Sequence, residues 1–193
     1  MPDEVRVTAD GITGGGARLT PAEVNALADE RDDLVFFDGR NAVEAEVGRF
    51  RDAVVPPTRT THDFVAALES GAYDHLKHRP VVTYCTGGIR CEVLTVLMRN
   101  RGFDEVYQLD GGIVGYGAQF GNDGLWQGSL AVFDNREVVD VGPRPQVIGR
   151  CHRCGAPTAR LHNCADLACR ERLVTCPDCA AAGEIWCADH GTR

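Results

Sequence analysis

The chain has 193 residues, of which 44% are hydrophobic and 25% charged, and its formal net charge is −8. This composition is typical of a folded globular protein and excludes a mostly disordered chain. No apolar run reaches the ~18 to 20 residues that a membrane span requires. The acidic start of the chain, Met1–Glu4, lacks the apolar segment of a signal peptide. We therefore expect a cytoplasmic protein that makes no membrane contact.

The cysteines are the most informative part of the composition. The chain has nine of them: seven lie between Cys151 and Cys187, and Cys85 and Cys91 lie near the middle. An odd number of cysteines in short paired spacings, without a secretion signal, indicates metal and thiol chemistry in a reducing compartment.

The sequence divides into four predicted segments. Residues 1–17 end in three consecutive glycines and are expected to be a flexible lead-in. Residues 18–140 are predicted to form one α/β domain. Residues 141–150 contain two prolines and a glycine and are predicted to be a linker. Residues 151–193 are predicted to form a small cysteine-rich module that binds zinc.

Strands and helices alternate through the predicted domain. Thr20 and Glu23 have the spacing of a capping box, with Pro21 at the first helical position, so a helix is expected to run to about Glu30. The later predicted elements are strands at Leu34–Phe37, Pro80–Tyr84 and Glu105–Leu109, helices over residues 61–70 and 89–101, and a short helix after Gly111 and Gly112. This alternation predicts a parallel sheet flanked by helices.

The candidate catalytic residue lies where a predicted strand meets a predicted helix. The strand leads directly into Cys85, and the loop residues that follow are Thr86, Gly87, Gly88, Ile89 and Arg90. Free loop amides and the N-terminal end of a helix both stabilise an anion, so they lower the pKa of a thiol placed there. The glycines allow the backbone to curl around one atom. Arg90 is expected to close the loop through a hydrogen bond to an acidic residue or a bound anion.

Two features of this loop leave alternatives open. Four residues separate Cys85 from Arg90, which gives a tighter ring than that of phosphate-cleaving cysteine loops and suits a sulfur-sized group such as a persulfide. Cys91 is either a resolving thiol or a small core residue of the first helical turn. We favour the core residue, because adjacent helical residues point in different directions.

The segment Cys85–Glu92 resembles the signature of the rhodanese-fold subfamily that includes the oxygen-dependent tRNA uridine hydroxylases. Those enzymes convert the wobble uridine of tRNA to 5-hydroxyuridine. The resemblance extends over about residues 18–190, and its further matches are Asp38–Asn41 with Glu44 and Gly48, Gln108–Ile113, and Val132–Asp134.

The resemblance implies a rhodanese-like parallel sheet with Cys85 as the catalytic cysteine. Asp38 and Arg40 would belong to a strand-end element that frames the pocket, where their role is more often structural than chemical. The subfamily usually carries a ferredoxin-like domain before the rhodanese domain. We expect that domain to be absent here, so tRNA recognition would need other residues or a separate N-terminal-domain partner.

Three functions are compatible with these features. The first, which we favour, is a hydroxylase-like enzyme that acts on tRNA. The second is a sulfurtransferase in which Cys85 accepts a sulfane sulfur from thiosulfate or a persulfide donor. The third is a non-catalytic binding module, which the intact loop from Cys85 to Arg90 disfavours.

The tail contains four pairs of soft metal ligands, enough for two tetrahedral structural Zn²⁺ sites. A region this short, with few large apolar residues, would need such ions in order to fold. Sequential and interleaved pairings are both compatible with the spacing. His190 is the least secure ligand, because a histidine near a terminus is often only solvated. The eight predicted ligands are Cys151, Cys154, Cys164, Cys169, Cys176, Cys179, Cys187 and His190.

The charge of the tail differs from that of the rest of the chain. Residues 141–193 contain seven arginines and five acidic residues, so the net negative charge belongs to the preceding segments. The arginines either form a local patch for RNA or are scattered and solvated. They include Arg150, Arg153, Arg160, Arg170 and Arg172.

Overall fold

The structure is a computed structural model that describes residues 4–9, 11–60, 62–143, 145–169 and 171–191. The strands are β1 (Arg6–Thr8), β2 (Gly11–Thr13), β3 (Ala17–Leu19), β4 (Val35–Asp38), β5 (Gly48–Phe50), β6 (Val81–Tyr84), β7 (Val106–Leu109), β8 (Trp126–Ala131), β9 (Val138–Asp140), β10 (Leu161–Asn163) and β11 (Arg172–Val174). The helices are α1 (Pro21–Glu30), α2 (Ala42–Val47), α3 (Asp63–Glu69), α4 (Ile89–Asn100), α5 (Gly112–Phe120) and α6 (Pro177–Ala181), with a 3₁₀ turn at Asp74–Leu76.

A four-stranded parallel sheet forms the centre of the molecule. Its strand order is β3-β7-β6-β4, and every neighbouring pair is parallel. The capping box predicted at the start of α1 is present, with the Thr20 backbone N–H donating to Glu23 Oε2 over 2.8 Å. The predicted α/β fold with a parallel sheet flanked by helices is therefore confirmed.

Each face of the sheet is covered by its own apolar cluster. Successive residues of a strand point to opposite faces, so Phe37 packs with helices α3 and α4 on one side, together with Leu68 and Leu97. Phe36 faces the other side, where Tyr116 of α5 and Trp126 of β8 complete the packing. The sheet is buried on both faces, which explains why its strands are continuous apolar runs.

A second sheet, with antiparallel strand order β5-β8-β9, was not predicted from the sequence. Gly48 pairs with Gly128 at its centre. A Cβ atom at Gly48 would lie only 1.9 Å from the Ser129 carbonyl oxygen, so this close approach of two strands needs glycine. Strands β5 and β8 are far apart in sequence, and no local pattern predicts their pairing.

Within the expected flexible lead-in, residues 6–8 and 11–13 form a hairpin of β1 and β2 that was not predicted from the sequence. Val5 is 9% exposed and packs in the same cluster as Leu97, with Ile12 against it. The Arg101 guanidinium also forms an ion pair with Glu4. Residues 1–3 and 10 lie outside the described residues. The hairpin is therefore attached to the domain by apolar packing and by an ion pair.

The cysteine-rich tail packs against helix α2. Strands β10 and β11 form an antiparallel hairpin, and Leu161 and Val174 share an apolar cluster with Val47 and Ala131. The tail therefore has a small apolar contact with the domain rather than a large core of its own. Within the described ranges, no helix has the length and apolar character of a membrane span.

Candidate active site and metal clusters

A buried ion pair lies at the carboxyl end of strand β4. The Arg40 guanidinium donates to the Asp38 carboxylate over 2.6 and 2.8 Å and to the Gly48 carbonyl over 2.7 Å. The Tyr84 hydroxyl donates to the same carboxylate over 2.7 Å. Burial disfavours the charge of Arg40, but the Asp38 carboxylate outweighs it and raises the Arg40 pKa. Neither Asp38 nor Arg40 is exposed, so both support the site from within the core.

Helix α2 carries the residue that holds the cysteine loop closed. The Glu44 carboxylate is fully buried and accepts two hydrogen bonds from Arg90, over 2.8 and 3.1 Å. It also accepts the backbone N–H of Asn41 over 3.0 Å, at the start of α2. Arg90 in turn donates to the Thr86 hydroxyl over 3.1 Å. The acidic partner expected for Arg90 is therefore Glu44, a residue to which the sequence assigned no role.

Cys85 follows strand β6 directly and lies at the N-terminal side of helix α4. The Gly88 backbone N–H donates to the Cys85 sulfur over 3.2 Å, and Gly88 adopts a φ of 95°, which favours glycine. Cys85 is 1% exposed, whereas Gly87 and Ile89 of the same loop are exposed. The sulfur thus lies inside a loop whose outer residues face solvent.

The start of helix α5 fixes the other side of the loop. The Ile113 and Val114 backbone N–H groups donate to the carbonyls of Cys85 and Thr86 over 3.0 and 3.1 Å. A Cβ atom at Gly112 would lie 2.5 Å from the Cys85 carbonyl oxygen, and Gly112 has a φ of 59°. Only glycine allows this approach, so Gly112 sets where the loop lies.

The second cysteine affects the protonation of the first. A hydrogen bond from the Cys91 thiol lowers the pKa of Cys85 to about 6, against the effect of burial, and the Arg90 charge and the Gly88 N–H contribute. Burial, and then the contact with Cys85, raise the pKa of Cys91. The pair therefore consists of a thiolate and a thiol that donates to it. Cys91 is fully buried, as a core residue would be, but it also acts on the candidate nucleophile.

Two important residues lacked an assigned role in the sequence. Glu44 had a detectable signal, since Asn41 and Glu44 have the spacing of a capping box. Gly112 is one of two consecutive glycines after a strand, and this pattern indicates only a turn. Its contact with the Cys85 loop depends on the pairing of β6 with β7, which the local sequence does not reveal.

The tail places its predicted ligands in two interleaved clusters. Within each, the ligand atoms all lie within 4.8 Å of one another. The clusters consist of Cys151, Cys154, Cys176 and Cys179, and of Cys164, Cys169, Cys187 and His190. The first pair of ligands thus joins the third, and the second joins the fourth.

Distances within the clusters suit metal binding. The sulfur atoms of Cys154 and Cys176 are 3.6 Å apart, and those of Cys169 and Cys187 are 3.9 Å apart. Two thiolates on one tetrahedral zinc ion would be ~3.8 Å apart, given Zn–S bonds of about 2.3 Å. His190 directs Nδ1 at the Cys187 sulfur over 3.0 Å, and its Nε2 lies 3.4 Å from Asp166. Both clusters could hold a metal ion, and a carboxylate orients the histidine.

The sequence is similar to known families and proteins. The family profile described as "Rhodanese-like domain" matches residues 20–119, and that described as "Rhodanase C-terminal" matches residues 127–191. A Corynebacterium urealyticum protein named tRNA uridine(34) hydroxylase is 57% identical over 97% of this chain and 64% of its own length. A Rhodococcus opacus protein of the same name is 60% identical over 92% of this chain and 63% of its own length. The chain spans about three fifths of the curated relatives that it matches.

Among solved structures, the rhodanese-like domain of the Anabaena protein Alr3790 superimposes with a TM-score of 0.47. It is 18% identical in sequence, and the match covers 57% of this chain and 78% of that one.

We predict that Cys85 titrates as an unusually acidic thiol. The difference in thiolate ultraviolet absorbance between the wild-type chain and the Cys85→Ser variant should show an inflection near pH 6. An unperturbed cysteine titrates near pH ~8.5, and an inflection at or above that value would contradict the geometry of the loop. The tail cysteines occur in both proteins and cancel in the difference.

We predict that Gly112→Ala displaces the cysteine loop. The new Cβ would collide with the Cys85 and Thr86 carbonyl oxygens and the Gly88 nitrogen, so the Cys85 inflection should move to higher pH. Gly102→Ala is a matched control, because Gly102 has a φ of 82° but no atom within 4 Å of the new Cβ. It should carry only the backbone strain of about 1–2 kcal/mol and leave the Cys85 inflection unchanged. If the Cys85 inflection lay at the same pH in Gly112→Ala and Gly102→Ala, the result would count against the role of Gly112.

Proposed function

The chain belongs to the rhodanese-like domain family, and from this premise we propose that it carries the catalytic cysteine of a tRNA-modifying oxidoreductase. The reaction is most like that of the relatives named tRNA uridine(34) hydroxylase. The substrate is the wobble uridine of tRNA in the cytoplasm, and the product is 5-hydroxyuridine. The oxidant is O₂, as the resemblance to the oxygen-dependent hydroxylases implies. Because the chain spans only part of those relatives, the activity rests on the site geometry as much as on their names.

The Cys85 thiolate is the observation that carries this proposal. The reactive form of cysteine is the thiolate, and a pKa of about 6 keeps Cys85 mostly in that form at neutral pH. The Gly88 N–H and the Arg90 charge stabilise the anion, while the Cys91 thiol holds a proton beside it. As a nucleophile, the thiolate is the group that acts on the substrate.

The other site residues have positioning roles in this proposal. Arg90 lies between the Glu44 carboxylate and the Thr86 hydroxyl, and it holds both ends of the loop at a fixed separation. Asp38 and Arg40 fix the end of strand β4 and the end of α2 from within the core. A loop fixed in this way presents the sulfur in one orientation, which lowers the entropic cost of the reaction.

The hydroxylase proposal is tested in a bacterial host that lacks its own wobble-uridine hydroxylation. Expression of the wild-type chain should restore 5-hydroxyuridine-derived nucleosides in digested tRNA, measured by mass spectrometry. The Cys85→Ser variant should form none while it melts at the same temperature as the wild type. Absence of the nucleosides with a folded wild-type chain, or their formation by Cys85→Ser, would overturn the proposal.

A second candidate, sulfurtransfer, is favoured by the small ring around the Cys85 sulfur. The thiolate would attack the outer sulfur of thiosulfate, sulfite would leave with the electron pair of the S–S bond, and a Cys85 persulfide would form. Cyanide would then take that sulfur as thiocyanate and regenerate the thiolate. Thiocyanate release that requires Cys85, without 5-hydroxyuridine in the tRNA of the host, would select this function instead.

We further propose that both tail clusters hold structural Zn²⁺. Four thiolates, or three thiolates and an imidazole, are the donor sets of structural zinc sites. The ions would fix the tail, whose apolar contact with the domain is small. Because such sites use all four positions for protein ligands, they have no open position for a substrate.

We predict two zinc ions per chain, one per cluster, by elemental analysis of the purified protein. The interleaved pairing is tested by double variants. Cys151→Ser with Cys176→Ser changes one cluster and should leave one ion, whereas Cys151→Ser with Cys164→Ser changes both and should leave none. Cys91→Ser is the control and should retain both ions. Equal zinc loss in the two double variants would contradict the interleaved pairing.

A further inference from the structure

A cleft lies between helix α2 and the cysteine-rich tail. Its volume is about 520 Å³, within the range of about 300–1,000 Å³ that small-ligand sites occupy. One wall consists of α2 and residues 57–60, and the other of β11 and Phe133. Arg59 links the two walls through ion pairs with Asp189 over 2.8 Å and Glu171 over 3.4 Å. Neither the Cys85 loop nor the structural role of the metal clusters accounts for this cleft.

An exposed aromatic ring lines the cleft. Phe133 is 66% exposed, and its side chain lines the cavity. The Arg172 guanidinium lies 5.5 Å from the centre of its ring, and Arg172 is itself fixed by a 3.3 Å hydrogen bond to the Val132 carbonyl. An aromatic ring beside a fixed guanidinium is a platform on which an unpaired nucleobase stacks.

The charges of the cleft favour a base over a phosphate. Arg59 forms ion pairs with Asp189 and Glu171, which neutralise its charge. Glu46 adds a further carboxylate to the cleft. These carboxylates would repel a phosphate inside the cleft, whereas a neutral base carries no charge for them to repel. The Glu46 carboxylate and the Asn41 amide are groups that recognise the amino and ring-nitrogen edges of bases.

Helix α2 separates this cleft from the Cys85 loop. Residues four apart lie on the same face of a helix, and residues two apart lie on nearly opposite faces. Ala42 and Glu46 both line the cleft, whereas Glu44 between them binds Arg90 of the cysteine loop. A ligand in the cleft would therefore lie one helix width from the catalytic loop.

We propose that this cleft binds an unpaired nucleobase of the RNA substrate, a neighbour of the base that reacts at Cys85. The neighbour stacks on Phe133, and its edge is recognised by Asn41 and Glu46. The inference rests on the proposed function, because it takes RNA as the substrate.

The test uses the purified full chain with its metals and a fluorescein-labelled RNA stem-loop that contains the anticodon loop. Phe133→Leu keeps an apolar side chain but removes the π face, so the dissociation constant measured by anisotropy should rise about 5- to 100-fold. Phe133→Tyr should restore binding. Val7→Ala is the control, because Val7 is 59% exposed on the distant β1 hairpin, and it should bind as the wild type does.

A thermodynamic cycle identifies the base. Abasic sites are placed one at a time beside the wobble uridine. At the position that stacks on Phe133, the abasic RNA should bind the wild type at least as weakly as intact RNA binds Phe133→Leu, because it also loses the edge contacts with Asn41 and Glu46. Combining both changes should then cause no further loss. At other loop positions, the two effects should add.

The outcomes separate this inference from the proposed function. Phe133→Leu binding as tightly as the wild type, additive effects at every loop position, or no RNA binding at all would each overturn the cleft assignment. The first two results could occur even if Cys85-dependent hydroxylation is observed. Phe133-dependent, non-additive RNA binding by a chain that forms no 5-hydroxyuridine would retain the cleft site and reject the hydroxylase reaction.

Discussion

The Arg40 guanidinium is fully buried in the core, so groups of the protein rather than water must stabilise its charge. Asp38 supplies the counter-charge, and the Gly48 carbonyl accepts a further hydrogen bond. These contacts join the end of β4 to the end of α2 and the start of β5. Removing one partner of such a pair costs about 3–5 kcal/mol, because the other charge remains buried. Since α2 also carries Glu44, the position of the cysteine loop depends on this pair.

The electrostatics of the loop follow from that placement. Glu44 accepts hydrogen bonds from both terminal nitrogens of Arg90, so Arg90 lies in one position beside the loop and its charge favours the Cys85 thiolate. The Cys91 thiol keeps its own proton, because its pKa is raised, and it can therefore donate a hydrogen bond to the Cys85 thiolate. At a helix start without a second cysteine, only the helix dipole and the backbone amides would stabilise the thiolate. Here a neighbouring thiol is the largest contribution to the lowered pKa, and the reactive anion depends on two cysteines.

Local patterns predicted the elements whose causes are local. The capping box at Thr20 and the apolar runs that became β4 and β6 depend on neighbouring residues, and the strand-to-helix position of Cys85 follows from them. The antiparallel pairing at Gly48 and the interleaved ligand clusters join residues far apart in the chain, which no local pattern encodes. The sequence offered an interaction between Cys91 and Cys85 only as the less favoured alternative. Cys85 lies outside helix α4, so the curl of the loop, not the helical spacing, brings the thiols together.

Helix α2 has only six residues, yet it is a wall of two different sites. Its core side is fixed by Val47 and by the contacts of Arg40, so the helix cannot shift toward one site without disturbing the packing at the other. Opposite faces of a helix with its side chains are about 10–12 Å apart. Two bases that contact both sides of α2 must therefore be splayed apart rather than stacked on each other. Unpaired loops of RNA adopt such conformations and duplexes do not, so the RNA binding that we propose would require a single-stranded loop.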